Sequence, residues 1–349
     1  MSYGVTLEPG GAMFFAEAGE MLLDAALRQG VALAHSCRQG ICGACRVQLI
    51  SGQIDRSAEE PVAMDGAESG EVLCCRASAR SDLVLSSTLP TGRQPLPVRK
   101  LLGRVAGIRR TGAADVLILS IKLPREAELD FRPGQYVDLT TREGVRRSYS
   151  IAQASGRGDC LEFHIRHCPG GRFTDGLFNE RESRPGTGHI VQVEGPYGSM
   201  WLREADAPVI LLASGTGFAP IKAMVEEAMR LGIHRPMRLY WGGRRPADLY
   251  MDALCRHWAA AWDGFSYIPV VSDACDADAW QGRTGWVHRA VMEDIADLAA
   301  YHVYACGAPI VVESARQDFS RICGLPRGSF FADAFVTAKD LSSGVCAAA

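Results

Sequence analysis

The 349-residue sequence has neither a long hydrophobic run nor an excess of charge of one sign. No apolar run approaches the roughly 18–20 residues that a membrane helix needs. Residues 1–8 contain neither a basic region nor an apolar core, so we expect no secretory signal. The net charge of −3 gives no reason to expect a nucleic-acid partner. We therefore expect a cytoplasmic protein with neither a membrane nor a nucleic-acid partner.

Composition and charge distribution indicate an ordered, multidomain chain. Hydrophobic residues make up 47% and charged residues 22%, which excludes disordered and fibrous classes. Residues 1–90 hold 6 Lys/Arg and 11 Asp/Glu, net −5, whereas residues 99–204 hold 17 and 13, net +4. We expect the acidic part to dock on the basic part or on a basic patch of a partner, contacts that mostly govern association rate.

Three segments differ in their pattern of predicted elements. The first has short strands, with a hairpin predicted at the Pro-Gly-Gly turn 9–11, and one helix near residues 22–27; a polar, Pro-containing stretch at 91–97 is the predicted linker. The second alternates apolar and polar residues in strands such as 161–166, which is typical of an antiparallel barrel. The third alternates strands with helices, among them helices predicted at 248–261 and near 286–298, which indicates a parallel sheet. The predicted domains span residues 1–92, 98–203 and 204–349.

Twelve cysteines without an export signal indicate metal-binding or reactive thiols rather than disulfides. Four of them give the spacing C-x4-C-x2-C followed, after 29 residues, by a further cysteine: Cys37, Cys42, Cys45 and Cys75. This is the plant-type [2Fe–2S] arrangement, and Gly40 and Gly43 would let the loop wrap around it. A four-thiolate zinc site is the alternative, but it normally presents two C-x2-C pairs. By chemistry alone, either Cys74 or Cys75 could supply the fourth thiolate.

Two short segments in the second part are suited to a flavin. Residues 146–150, Arg-Arg-Ser-Tyr-Ser, offer a guanidinium for a pyrophosphate, a ring for stacking and a hydroxyl for the flavin N5. A solvated strand face is the alternative interpretation. Residues 170–174, Gly-Gly-Arg-Phe-Thr, open a predicted helix and can present N–H groups to a phosphate. An ordinary capped helix would show the same pattern.

The third part carries a glycine turn directly between a strand and a helix, Ser-Gly-Thr-Gly-Phe-Ala-Pro at 214–220. Such a turn lets a pyrophosphate approach the helix N-terminus, although Pro220 stands where the usual fingerprint ends in glycine. A later strand ends in Cys306-Gly-Ala-Pro309, at the sheet edge where ligands bind. A buried packing thiol is the alternative for Cys306. After the second strand, Arg244 precedes any carboxylate, so the residues allow NADPH.

Together these motifs resemble the NAD(P)H-dependent reductase components of bacterial multicomponent oxygenases, such as those of naphthalene dioxygenase, xylene monooxygenase and terephthalate dioxygenase. Further matching segments are 163–166, 194–198, 241–250 and 331–335. The resemblance implies a β-grasp [2Fe–2S] ferredoxin domain, an antiparallel FAD-binding β-barrel and a parallel α/β nucleotide-binding domain. It also selects Cys75 as the fourth cluster ligand.

The resemblance assigns roles to individual residues. FAD would be held by Arg147, Ser148, Tyr149, Ser150, His164, Ile165, Arg166, Gly170, Gly171, Arg172, Phe173, Thr174 and Phe335. The nicotinamide nucleotide would be held by Gly215, Thr216, Gly217, Ala219, Pro220, Gly243, Arg244, Cys306, Gly307 and Pro309. Ser150, Cys306 and Asp333 would act in catalysis. Because the chain continues to Ala349, Phe335 is not the terminal aromatic residue of the family pattern.

The function implied is transfer of hydride from NAD(P)H to FAD, then of single electrons through the [2Fe–2S] cluster. The acceptor would be a Rieske or di-iron oxygenase of aromatic hydrocarbon catabolism, or its ferredoxin, with a modest preference for NADH. One alternative is the same chemistry serving a deoxysugar dehydratase. Another alternative is a non-enzymatic electron carrier with a degenerate reductase half. The presence of the predicted cofactor-binding residues argues against it: Arg147, Ser150, Gly215, Gly217 and Cys306.

Overall fold

The computed structural model describes residues 1–56, 70–86, 96–127, 129–156, 158–178 and 188–336. These form two compact units: Met1–Pro97 together with the residues from Ala332 onward, and Val98–Phe331. Most of the predicted linker at 91–97 lies outside the described residues. Among the described residues, no helix is both long and apolar enough to cross a membrane.

The first unit is a five-stranded sheet packed against one helix. Its elements are β1 (Ser2–Glu8), β2 (Ala12–Glu17), α1 (Leu22–Arg28), β3 (Arg46–Ser51), β4 (Ile54–Arg56), β5 (Glu71–Leu73), β6 (Ala77–Ala79) and β7 (Leu83–Ser86). The strand order is β2-β1-β7-β3-β5, with β1 parallel to β7, while β4 and β6 form a separate ribbon. Phe14, Leu22, Leu23 and Leu85 are fully buried between sheet and helix. The predicted hairpin and helix are present.

The second unit begins with a six-stranded antiparallel sheet. Its elements are β8 (Arg99–Arg110), β9 (Val116–Lys122), β10 (Tyr136–Thr140), β11 (Arg146–Ser150), β12 (Cys160–Arg166), α2 (Thr174–Phe178) and β13 (Ile190–Tyr197). The order is β11-β10-β13-β8-β9-β12, and the two end strands contact each other, which nearly closes a barrel. The sequence analysis missed β8, because its basic residues and Gly103 obscure the alternation. A Cβ at Gly103 would lie 2.4 Å from Ile121, so glycine is required there.

A six-stranded, largely parallel sheet follows. Its elements are β14 (Val209–Ser214), α3 (Phe218–Arg230), β15 (Met237–Gly243), α4 (Asp252–Ala261), β16 (Phe265–Val271), β17 (Arg283–Thr284), α5 (Val287–Asp294), β18 (His302–Gly307), α6 (Pro309–Arg321) and β19 (Phe330–Ala334). The order is β17-β16-β15-β14-β18-β19. The strand order reverses at β14, and the crevice at the carboxyl ends of such strands is where ligands bind.

Two helices of this part are shorter than predicted. The helix predicted from residue 248 begins at Asp252, because Pro246 first opens a 3-10 turn. The helix predicted to reach residue 298 ends at Asp294, since Ile295 is extended, with φ −141° and ψ 98°. Both differences lie at helix ends, and the predicted fold class is confirmed.

Candidate cofactor sites

The loop between α1 and β3 turns sharply around its cysteines. Gly40 (φ +80°) and Gly43 (φ +65°) adopt left-handed conformations, which glycine adopts readily. Four backbone N–H groups lie 3.4–3.5 Å from two sulfurs: those of Gln39 and Cys42 from Cys37 Sγ, and those of Cys37 and Ala44 from Cys42 Sγ. Donors of this kind stabilise thiolates and tune the reduction potential of a cluster.

The four predicted ligands form two pairs. Cys45 Sγ lies 3.2 Å from Cys75 Sγ, and Cys37 and Cys42 exchange N–H···S contacts. The contact with Cys42 lowers the pKa of the Cys37 thiol to about 7, and the contact with Cys45 lowers that of Cys75. Two pairs of cysteines fit a binuclear cluster, in which each iron takes two thiolates.

Cys74 is placed differently from its neighbour. It is completely buried in the core of the first unit, and this burial raises the pKa of its thiol to about 12. Its N–H group donates to the carbonyl oxygen of Cys45 at 3.1 Å. The two cysteines lie in the turn after β5, which is closed by a hydrogen bond from the Arg76 N–H to the Leu73 carbonyl oxygen at 2.9 Å, and not in a strand as expected. The structure thus brings the sulfur of Cys75 to the cysteine loop and leaves Cys74 as a neutral packing thiol.

The cluster loop also contacts the C-terminal strand within the first unit. The hydroxyl of Ser36, next to Cys37, donates a hydrogen bond to the carboxylate of Asp333. Both residues are buried, at 2% and 6% exposure. The resemblance implies a flavin role for Asp333, whereas the contact present here is with the cluster loop. Phe335 is half-buried just beyond β19, and its flavin role stays a prediction.

Strand β11 separates its predicted flavin residues by alternation. Arg147 and Tyr149 lie on one face, and Ser148 and Ser150 on the other. The exposed Arg147 guanidinium donates to the neighbouring carbonyl oxygen of residue 146, at 2.7 Å. The hydroxyl of Ser148 donates to Asp138. The site residues on this strand are therefore not equivalent, and Ser148 is engaged within the barrel.

The hydroxyl of Ser150 is the clearest sign of a ligand. It is buried and has no hydrogen-bond partner within the described residues. A buried polar group left in that state costs about 1–3 kcal/mol, so a hydrogen-bonding ligand atom fits there. On the opposite face of the strand, the ring of Tyr149 packs against Phe173 with centroids 5.2 Å apart.

The glycine loop before α2 is tightly closed. A Cβ at Gly171 would lie 2.7 Å from both the carbonyl oxygen of Cys168 and the hydroxyl of Thr174. The Thr174 hydroxyl donates a hydrogen bond to the carbonyl oxygen of Cys168 at 2.9 Å and accepts one from the N–H group of Cys168 at 3.2 Å. Phe173 joins this loop to Tyr149, so the two predicted FAD segments lie together. Two further predicted residues are exposed in the loop: Gly170 and Arg172.

The predicted FAD residues of β12 have other partners. His164 Nδ1 lies 2.9 Å from the Tyr250 hydroxyl, and Nε2 lies 3.2 Å from a Glu162 oxygen. Ile165 is fully buried in the barrel core. The side chains of His164 and Ile165 are occupied by contacts within the protein. Any FAD contact at these two residues would therefore come from their backbone groups. Arg166 pairs with Asp248 at 3.3 Å, next to the nucleotide loop.

Two loops at the switch point of the parallel sheet pack backbone against backbone. Gly215–Gly217 form a 3-10 turn between β14 and α3. A Cβ at Gly217 would lie 2.1 Å from the carbonyl oxygen of Cys306, and one at Gly307 would lie 2.4 Å from that of Ser214. Only glycine fits at both positions. The predicted Thr216, Ala219 and Pro220 complete the entry into α3, whose N-terminus is suited to a pyrophosphate, and Pro309 opens α6.

A tryptophan that the sequence analysis did not assign holds this turn. Trp241 Nε1–H donates to the Gly215 carbonyl oxygen at 3.0 Å, and its ring stacks on Phe218 at 3.9 Å. Further along, Asp248 Oδ2 accepts the N–H groups of Arg244 at 2.8 Å and of Arg245 at 3.1 Å. These hydrogen bonds direct the Asp248 carboxylate toward the loop that follows β15, where Gly243 also packs against Asp248. The Arg244 side chain is 74% exposed.

Two buried charged residues were not predicted, because each lies within an otherwise apolar stretch of sequence. Asp138 is 4% exposed in β10 and pairs with Arg146, and Lys222 lies in the buried run 221–225 of α3. Charged residues are rarely buried without partners. A charged residue inside an otherwise apolar strand or helix face is therefore the signal that was available for both.

Comparisons with known proteins account for all three sites. The family described as 2Fe-2S iron-sulfur cluster binding domain matches residues 5–80, the oxidoreductase FAD-binding domain matches residues 109–201, and the oxidoreductase NAD-binding domain matches residues 211–317. The predicted cofactors, a [2Fe–2S] cluster, FAD and a nicotinamide nucleotide, are thereby confirmed.

Relatives match over almost the whole chain. A CDP-6-deoxy-L-threo-D-glycero-4-hexulose-3-dehydrase reductase of Yersinia pseudotuberculosis is 37% identical over 339 residues, 97% of this chain and 100% of the relative. Reductase component 2 of terephthalate 1,2-dioxygenase from Comamonas sp is 34% identical over 322 residues, 91% of this chain and 93% of the relative. The crystal structure of an Amycolatopsis cytochrome P450 reductase has a TM-score of 0.76 at 32% identity and covers 96% of this chain and 99% of that one.

Sites and relatives agree, so the chain is an NAD(P)H-dependent oxidoreductase that transfers electrons to a terminal acceptor. It belongs to the family of iron–sulfur flavoprotein reductases that includes the reductase components of multicomponent oxygenases.

Proposed function

We propose that this chain draws electrons from NADH and delivers them singly to a terminal oxygenase of aromatic hydrocarbon catabolism. The observation that carries this is similarity over more than 90% of the chain to a terephthalate dioxygenase reductase component, together with two cysteine pairs that fit a single-electron cluster. When bound, FAD accepts a hydride and gives up two electrons one at a time, and the [2Fe–2S] cluster relays single electrons.

The residues of the barrel would bind and orient FAD. Arg147 would pair with its pyrophosphate, while the closed loop around Gly171 and Thr174 would offer N–H groups to the same phosphates. The Ser150 hydroxyl would hydrogen-bond at N5 and relieve its own buried, unsatisfied state. Tyr149, backed by Phe173, would pack against the ring system.

The residues of the parallel sheet would orient the nicotinamide nucleotide. The turn 215–217 and the start of α3 would hold its pyrophosphate, and Cys306 would lie beside the nicotinamide ring. Orientation is the main demand here, because hydride transfer between two correctly placed rings needs no acid or base from the protein. The proposed domains, 1–92, 98–203 and 204–349, then each hold one cofactor.

Reconstitution tests the proposed acceptor. The purified holoprotein is combined with Rieske and di-iron oxygenases, each with and without its own ferredoxin, and hydroxylated product is measured against NADH consumed. We expect product formation coupled to NADH oxidation with at least one oxygenase. The matched control is a variant that lacks the cluster but keeps FAD, which should consume NADH with ferricyanide yet form no product. Product formation by that variant would contradict the proposed electron route.

A second acceptor is favoured by one observation. The dehydrase reductase of Yersinia is 37% identical and is covered along its entire length. A deoxysugar dehydratase therefore belongs in the same experiment. If this protein supports turnover of such a dehydratase and of none of the oxygenases, the deoxysugar function replaces the proposed one.

A further inference from the structure

A buried lysine lies just behind the nucleotide loop. Lys222 is 6% exposed and stands in the first turn of α3, two residues after Pro220. Its ammonium donates to the carbonyl oxygen of Ala152 at 2.7 Å and pairs with Glu226 at 2.9 Å and Glu162 at 3.1 Å. An ammonium has three N–H donors, so three acceptors use them all. One charge thereby ties the helix of the nucleotide loop to strand β12 and to the segment that follows β11.

The far side of Glu162 extends this network. Burial lowers the pKa of His164 more than the Glu162 carboxylate raises it, so the imidazole is neutral. Its Nε2–H then donates to Glu162, and Nδ1 accepts from the Tyr250 hydroxyl. Although burial alone would raise the pKa of Glu162, the His164 hydrogen bond and the Lys222 charge lower it to about 2. The network therefore holds one cation between two carboxylates, backed by a neutral histidine and a tyrosine.

The network connects the two groups of residues that must cooperate. Ala152 lies two residues beyond Ser150, the last residue of the strand proposed to carry the flavin edge. Lys222 lies two residues beyond Pro220 of the nucleotide motif. Buried ion pairs contribute little net stability compared with apolar packing, so their use points to specificity of arrangement. Hydride transfer is sensitive to arrangement, since the reacting atoms must approach to about 3–3.5 Å.

The geometry points to Lys222 as a positioning residue for hydride transfer. Its ammonium fixes the turn 215–220 against the strand that carries Tyr149 and Ser150, and so sets how the nicotinamide meets the flavin. This rests on the assignment of those two segments to the nicotinamide nucleotide and FAD. Because protein acceptors use its three N–H donors, Lys222 would act through the backbone of Ala152 and the side chain of Glu162.

A second bridge between the same helix and the barrel provides a matched control. Further along α3, Glu227 accepts hydrogen bonds from the Ser155 hydroxyl at 2.8 Å and from its N–H at 3.2 Å, and pairs with Arg230. Arg230 is 47% exposed, so this bridge lies at the surface and away from the nucleotide turn. If α3 only needed attachment to the barrel, changes at the two bridges would have similar effects.

The experiment compares Lys222→Met with Glu227→Gln in the full-length holoprotein. Flavin reduction by NADH is followed by stopped flow, and the long-wavelength charge-transfer absorbance of the flavin–nicotinamide complex is recorded in the same mixing. For Lys222→Met we expect retained FAD and iron, a nearly unchanged Kd for NADH, loss of the charge-transfer band and a rate constant reduced about a hundredfold. For Glu227→Gln we expect the wild-type rate constant and band.

A double variant separates positioning from stability. Lys222→Met leaves two partly buried carboxylates without their cation, and Lys222→Met/Glu162→Gln removes one of those charges and should regain thermal stability. The positioning role requires that Tm recovers while the band and the rate constant do not. The inference would be overturned if the double variant recovered its band and rate constant together with its Tm. It would also be overturned if Lys222→Met had the wild-type rate constant and band, or if Glu227→Gln lost as much of both as Lys222→Met. A wild-type protein that does not reduce FAD with NADH would instead refute the assignment on which it rests.

Discussion

The two units of this protein build their sites from different atoms. In the first unit the cofactor ligands are side-chain sulfurs, and the loop of Gly40 and Gly43 serves to bring them together. In the second unit the nucleotide site is largely backbone, formed where Gly217 and Gly307 let two loops touch. The cluster site therefore requires cysteine at a few positions. The nucleotide site instead requires positions without a side chain, where glycine lets two loops approach.

This difference predicts opposite sensitivities. Removing an atom should destroy the first site, whereas adding an atom should destroy the second. The flavin site lies between these cases, because it combines the closed backbone loop of Gly171 with single polar contacts from Arg147 and Ser150. The following substitutions test that ordering.

The largest effect is expected from Cys75→Ala. It removes the partner of Cys45, and a three-thiolate site would leave one iron open to water, so the [2Fe–2S] absorbance should be lost. NADH-driven ferricyanide reduction should persist, because hydride transfer occurs in the other unit. Cytochrome c reduction, which draws on single electrons from the cluster, should collapse.

The adjacent Cys74→Ala is the control. Its thiol is buried and neutral, so the change only removes a sulfur from the core and should leave the cluster spectrum and both activities near wild type. If the Cys74 variant loses the cluster while the Cys75 variant keeps it, the assignment of the fourth ligand is wrong.

Gly217→Ala adds a single methyl group to the backbone site. The new Cβ would lie 2.1 Å from the Cys306 carbonyl oxygen, so the two loops must separate. Overpacking of this kind costs about 1–3 kcal/mol, and Kd for NADH should rise by roughly ten- to a hundredfold. Iron and FAD should remain bound. Gly107→Ala is the matched control, since its Cβ would meet nothing within 4 Å; equal effects from both would argue against the close-approach explanation.

Arg147→Ala tests a single polar contact. Loss of a charge-assisted hydrogen bond to the FAD pyrophosphate should cost roughly 1.5–3 kcal/mol, so FAD should wash out during purification while iron stays bound. The measurement is FAD per protein and Kd by fluorescence titration. Arg142→Ala, an exposed arginine before β11, should leave both unchanged. Full FAD occupancy in the Arg147 variant would show that this guanidinium is only a surface charge.

The same contrast explains what the sequence could predict. Cysteine spacing is local information, so it predicted the ligand set, and the structure brings Cys75 into place beside Cys45. Strand and helix periodicity predicted the main elements of all three sheets. The Lys222–Glu162 pair joins residues 60 positions apart, and Trp241 in β15 reaches Gly215 just beyond the end of the neighbouring strand β14. Neither contact leaves a trace in local periodicity, because partners are chosen by tertiary packing.

The smallest effect concerns the choice of nucleotide. Asp248, the first carboxylate after β15, is turned toward the N–H groups of Arg244 and Arg245, and Arg244 itself is exposed. Asp248 therefore does not enforce recognition of a ribose 2′-hydroxyl here, and an arginine can tolerate a 2′-phosphate. We expect a modest NADH preference, with Arg244→Ala lowering kcat/KM for NADPH more than for NADH. A wild-type ratio that favours NADPH by about tenfold, or roughly 1.4 kcal/mol, would show instead that Arg244 selects the phosphate.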